Sequence, residues 1–124
     1  MADPIGDLVS LLADIEDMPE GLSVLGAPEE SITAPALVIR PDPQWMVPDR
    51  FCFDMERYNV IAVVSASSPE EGIAMLRSMM LLILSALTSP WDWDQVDGPV
   101  VDQSTGVPFL AARLRLKYSN GGPE

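Results

Sequence analysis

The stretch "VIAVVSASSPEEGIAMLRSMMLLILSALTSP", residues 60 to 90, decides the fold, because its hydrophobic period changes halfway along. Val60 to Val64 is β-branched and nearly continuously apolar, which reads as a strand. Ser68 then opens S-P-E-E: Ser68 can cap a helix, Pro69 suits its first position, and Glu71 completes a capping box. The two glutamates also suit the positive end of the helix dipole. Pro90 stops the helix, which gives about 20 residues and roughly 30 Å of length. A strand that feeds a long helix puts both kinds of element in one small chain, and the fold class expected is α+β.

That helix is too polar to span a membrane. Its uninterrupted apolar run is only about ten residues and Arg77 breaks the longer stretch, whereas spanning takes about 20 predominantly apolar residues. On a helical wheel Glu70, Glu71, Arg77, Ser78, Ser85 and Thr88 form one stripe, with Leu81 near its middle. The apolar residues from Ile73 to Leu87 fill an arc on the order of 200°, and packing on one side of a sheet needs only a little over about 100°. The first helix, another subunit, or both must cover the excess, and the first helix is expected to cover most of it.

Upstream, "RFCFDMERYNVIAVVSA" (50–66) is the strongest strand signal. Phe51, Phe53 and Met55 alternate before the continuous run, so a bulge, a bend or a junction of two strands is expected near "ERYN". Cys52 between the phenylalanines reads as a small buried hydrophobe. "PDPQWMVPD" (41–49) has three prolines in nine residues and is expected to be an exposed loop that carries Trp45 and Met46. Before it, "GLSVLGAPEESITAPALVIRP" is rich in turn residues, with "ALVIR" its best strand. Asp3-Pro4 opens a short amphipathic helix over about 4 to 17, with Ile5, Leu8, Leu12 and Ile15 at helical spacing.

Downstream, "WDWDQVDGPVV" and "GVPFLAARLRLKYS" read as two strands joined by "DQSTG", a plausible hairpin turn. In the second strand Phe109, Ala111, Arg113, Arg115 and Lys117 share one face, and Leu110, Ala112, Leu114, Leu116 and Tyr118 the other. The whole is one domain over 1–124, ordered from about 4 to 118 and frayed from 119 to 124. About four strands, mostly antiparallel or mixed, should carry two packed helices.

Composition narrows the function. Seven basic against 19 acidic residues give a formal charge of −12, which opposes docking on nucleic acid or anionic lipid. A hydrophobic content of 48% argues for a folded chain rather than an acidic disordered one. The sequence has no histidine and one cysteine, so no disulfide, no zinc site and no His-activated nucleophile is expected. The acidic N-terminus lacks the basic start of a signal peptide. "DWDQVDG" misses the calcium-loop pattern, with Val96 at a ligand position and Gln103 where a glutamate belongs. No cofactor pattern and no enzyme activity are expected. The interface candidates are Trp45, Met46, Leu81, Trp91 and Trp93, plus the basic stripe Arg113, Arg115 and Lys117, which suits an acidic neighbour.

The order of elements resembles the tail-terminator (tail-completion) proteins of long-tailed bacteriophages over about residues 4 to 118. The features that carry it are the strand ending in "VIAVVSA", the long helix opening on "SSPEEG", and the closing "FLAARLRL" strand. The resemblance implies an α+β subunit of which six copies form a ring capping the tail tube. Its implied partners are the major tail tube protein and a neck (head-closure) protein, with DNA passing through the centre. It also implies a place in the virion at the head–tail junction, and in the host cytoplasm during assembly. A neck or head-closure protein of the same virion would share these features. An acidic DNA mimic would explain the charge, although such a decoy needs its acids in rows on one exposed face.

Overall fold

The computed structural model describes residues 4–18, 21–26, 35–48, 54–88, 91–102 and 109–119. Among them the chain forms helix α1 (Pro4–Ala13), strands β1 (Ser23–Gly26), β2 (Ala36–Pro48) and β3 (Asp54–Ser65), helix α2 (Pro69–Ala86), and strands β4 (Trp91–Asp102) and β5 (Phe109–Ser119). The strands make one mixed sheet in the order β1-β2-β3-β5-β4. β1 pairs parallel to β2, and every other pairing is antiparallel. The α+β expectation holds with one strand more than the four anticipated: β1 lies inside the turn-rich stretch, and four residues of pairing are too short a signal for periodicity to find.

Both helices pack on one face of the sheet. α1 buries Leu8 and Leu12 against the β1–β2 end and touches α2 only lightly. It ends at Ala13 rather than near 17. The Ile15 amide reaches back to the Leu12 carbonyl at 3.3 Å, tightening the last turn, and Asp17 then reverses the chain with φ of 67°. Asp3, the expected cap, lies outside the described residues.

The segment expected to be a loop is largely strand. β2 continues through Pro41, with its register against β3 shifting between Pro41 and Met46, and ends at Pro48. β1 covers only Ala36 to Ile39 of β2, so beyond that point no strand among the described residues lies beside one edge of β2. Prolines are tolerated on such an edge because no ladder donor is required there. The irregularity expected near "ERYN" is therefore in β2. β3 itself pairs with β5 without a break from Met55 to Ser65. Phe51, Cys52 and Phe53 lie outside the described residues, as do the "DQSTG" turn beyond Asp102 and the tail from residue 120.

α2 starts as its sequence dictates. The Ser68 hydroxyl accepts from the Glu71 amide at 3.2 Å, and Pro69 opens the first turn. The Glu71 carboxylate, however, accepts from the Ser67 hydroxyl rather than closing a reciprocal capping box. Leu76, Met79, Met80 and Ile83 then bury against β3 and β5, beneath Val60, Ala62, Val64, Leu110 and Leu114. β3 and β4 run parallel to each other on either side of β5, so α2 is the crossover between them. At the far end of this layer Tyr58, Trp91 and Tyr118 pack ring against ring, and the Tyr58 hydroxyl donates to the buried Glu56 carboxylate at 2.8 Å.

Candidate functional site

β4 is an edge strand, and its sequence bends it twice. Its register against β5 shifts between Trp93 and Gln95 and again between Asp97 and Val100. Gly98 makes the second bulge possible. Its φ is +109°, and a side chain there would meet the Ala111 carbonyl oxygen at 3.1 Å. Beyond this point Val100 and Val101 stand largely in solvent, Val100 at 67% exposure.

On the helix side, bent β4 stands away from α2 and leaves a depression of about 290 Å³. Ile73, Met80, Leu81 and Leu84 line it from α2, Val96 and Pro99 from β4. Leu81 is 53% exposed, so the leucine in the helix's polar stripe is not a core residue of this chain. Ile73 is exposed as well, and α1 lies too far toward β1 to cover either. The six exposed large hydrophobics among the described residues are Ile73, Leu81, Trp93, Val96, Val100 and Val101. All six belong to α2 or β4, two elements that lie side by side.

Among the described residues the opposite face of the sheet carries no helix, and the alternation read from the β5 sequence is what the structure shows. Leu110, Ala112, Leu114, Leu116 and Tyr118 are buried beneath the helices. Arg113, Arg115 and Lys117 point the other way, in register with Ile61, Asn59 and Arg57 of β3. Arg40 of β2 lies in register with Asn59 in turn. Five of the chain's seven basic residues thus share one face.

A single carboxylate organises part of that face. Asp97 of β4 accepts from Arg113 Nη2 at 2.9 Å and Nε at 3.2 Å, and its other oxygen accepts from the Gln95 amide at 2.6 Å. Arg115 Nε lies 3.0 Å from the same carboxylate without the alignment of a hydrogen bond. The Arg113 hydrogen bond first, then the Gln95 one, holds the Asp97 pKa below the ordinary value of 3.8. Nearby, the buried atoms Arg57 Nε, Asn59 Oδ1 and Arg115 Nε have no hydrogen-bond partner. Three orphaned polar atoms on one small area are unusual, since buried polar groups are nearly always satisfied.

The remaining candidates divide. Trp93 is exposed, whereas Trp91 is 7% exposed and packs between Tyr58 and Tyr118, so its place is the core and not the surface. Trp45 and Met46 lie in β2, not in a loop, and their side chains are outside the described part. Sequence reading missed Val96, Val100 and Val101 as surface residues, and Arg40, Arg57 and Asp97 as neighbours of the β5 stripe. Only strand register could have joined these, and register is not written in any single segment. Among the described residues no group of three or more metal-ligating side chains gathers, and no helix is long and apolar enough to cross a membrane. What the two surfaces offer is contact, one apolar and one cationic. No protein-family model matches the sequence, and no curated protein sequence does.

Proposed function

We propose that this chain is a structural subunit of a phage tail terminator, six copies of which close a ring on the tail tube. In that role the ring joins the tube protein on one side to a neck protein on the other, and DNA passes through it. The protein belongs to the virion at the head–tail junction, after assembly in the host cytoplasm, and it is not an enzyme. One observation carries the reading: all six exposed large apolar side chains among the described residues belong to α2 or β4, and three of them, Ile73, Leu81 and Val96, line one groove. A lone subunit has little use for such a surface, whereas a ring subunit must bury one against its neighbour. At about 25 cal/mol per Å², a few hundred Å² is worth several kcal/mol before association entropy is subtracted. The protein should therefore be monomeric when dilute and close into rings at high concentration or on the tube, with few sizes between.

Light scattering across a concentration series, with negative-stain images of the largest species, tests this. Leu81→Glu places a charge in the groove and should abolish rings while the circular dichroism spectrum stays that of the wild type. A protein that remains monomeric at every concentration and on purified tubes overturns the reading. Rings from Leu81→Glu that match the wild type take the groove out of the interface.

A further inference from the structure

We infer that the helix-free basic face of the sheet is a docking site for the acidic end of α1 on a second copy of this chain. The face gathers Arg40, Arg57, Arg113, Arg115 and Lys117 in a molecule whose formal charge is −12. Among the described residues its counter-charges are few. Asp97 is committed to the two arginines beside it, Asp92 lies in register with Lys117, and Asp42 has a partner of its own. A second, independent observation points to an occupant. The buried Nε of Arg57 lacks an acceptor, the kind of group a carboxylate supplies.

The chain itself holds the complement. Asp7, Asp14, Glu16 and Asp17 are all exposed, with no basic residue between them. They lie on the helix side of the sheet, where α1 packs on β1 and β2, while the Asp97 cluster lies at the β4–β5 end. Each copy therefore carries its basic cluster on one face of the sheet and the acids around α1 on the other. Such an arrangement favours head-to-tail contact, the kind that closes rings, over a face-to-face dimer. Leu11, Ile15 and Met18, partly buried among those acids, match the apolar end of the receiving face, where Ile61 and Ala111 lie half-buried beside Val100.

The inference rests on the reading of the chain as a self-assembling subunit, and a charge exchange separates the two. One variant carries Arg40→Glu with Lys117→Glu, both outside the Asp97 cluster. The other carries Asp14→Lys with Glu16→Lys. Sedimentation of each, at a concentration where the wild type assembles, should show monomer, with the half-assembly concentration raised about tenfold or more. An equal mixture should restore assembly, because each altered surface then meets an opposite charge. Raising salt from 0.1 to 1 M shortens the Debye length from about 10 Å to about 3 Å and should weaken wild-type assembly. Variants that assemble like the wild type overturn the inference while the ring reading stands. Charge-dependent chains that never close support the inference and overturn the ring. A mixture that fails to restore assembly removes the second copy as occupant. Duplex DNA bound by the wild type and released by the Arg40→Glu, Lys117→Glu variant assigns the face to phosphate instead.

Discussion

Asp97 shows how one side chain can organise a surface. Its carboxylate lies between Arg113 and Arg115, a third exposed, and keeps two like charges from repelling each other across β5. Because its folded pKa lies below the unfolded one, its stabilising contribution is fully present above pH 3.8 and is lost only as pH falls through the lower folded value. A carboxyl titration followed by NMR should give Asp97 a midpoint below 3.8, and Arg113→Ala should move it upward. A wild-type midpoint at or above that value means the cluster does not form in solution. Gly72 is the second telling position. It sits within α2, where alanine would ordinarily help by about 1 kcal/mol. A Cβ there, however, would collide with the fully buried Leu110, with Leu110 Cγ at 3.1 Å. Gly72→Ala should therefore destabilise, by about 1–3 kcal/mol in chemical denaturation, the usual cost of overpacking. A more stable variant means that Leu110 can move aside. Neither effect is legible in the sequence, since Asp97 reads as one of several acids in β4 and Gly72 as a tolerated helix glycine.

At the scale of elements, α2 and β5 were the legible ones, because each states its environment through its own period. The cap at Ser68 was legible too. Ser68→Ala should cost about 1 kcal/mol, measured as a lower unfolding midpoint at unchanged slope. A change within a few tenths of that unit of energy would mean that water serves the Glu71 amide as well. Ile83→Ala, at a site with no solvent exposure between α2 and the sheet, should cost about 2–5 kcal/mol by the same measurement. The elements misread were those whose form depends on a neighbour. β2 keeps prolines in a strand only because β1 is short, and the extent of β1 is decided by pairing, not by its own four residues. Trp91 and Trp93 share a face by alternation, yet Trp91 packs against Tyr58 and Tyr118 while Trp93, before the first bulge, stays 47% exposed. A bulge in an edge strand leaves only a faint trace in sequence, here the single glycine at 98.

For the whole molecule, net charge and local charge point in opposite directions. The field at a distance is that of a strongly acidic body, while close to the sheet five cations share a face. Phosphate affinity depends on how many cations reach the backbone of the nucleic acid, and long-range repulsion opposes their approach. The expected result is no measurable binding of duplex DNA by fluorescence anisotropy, even at low salt where attraction would be greatest. A salt-sensitive rise in anisotropy at micromolar protein would contradict the reading of an inert conduit. The topology bears on time as well as space. β5, which follows the other four described strands in sequence, is the one that joins β3 to β4. Until residues 109–119 have left the ribosome, β3 lacks its inner neighbour and β4 has no partner among the described strands. The sheet is thus completed only once β5 has been made, and a nascent chain stopped after Asp102 has a helix with half its floor missing. Contacts between β3 and β5 span most of the C-terminal half, so closure follows a long search. A chain cut before β5 is therefore not a smaller subunit but an unfinished one, unable to present the surfaces on which assembly depends.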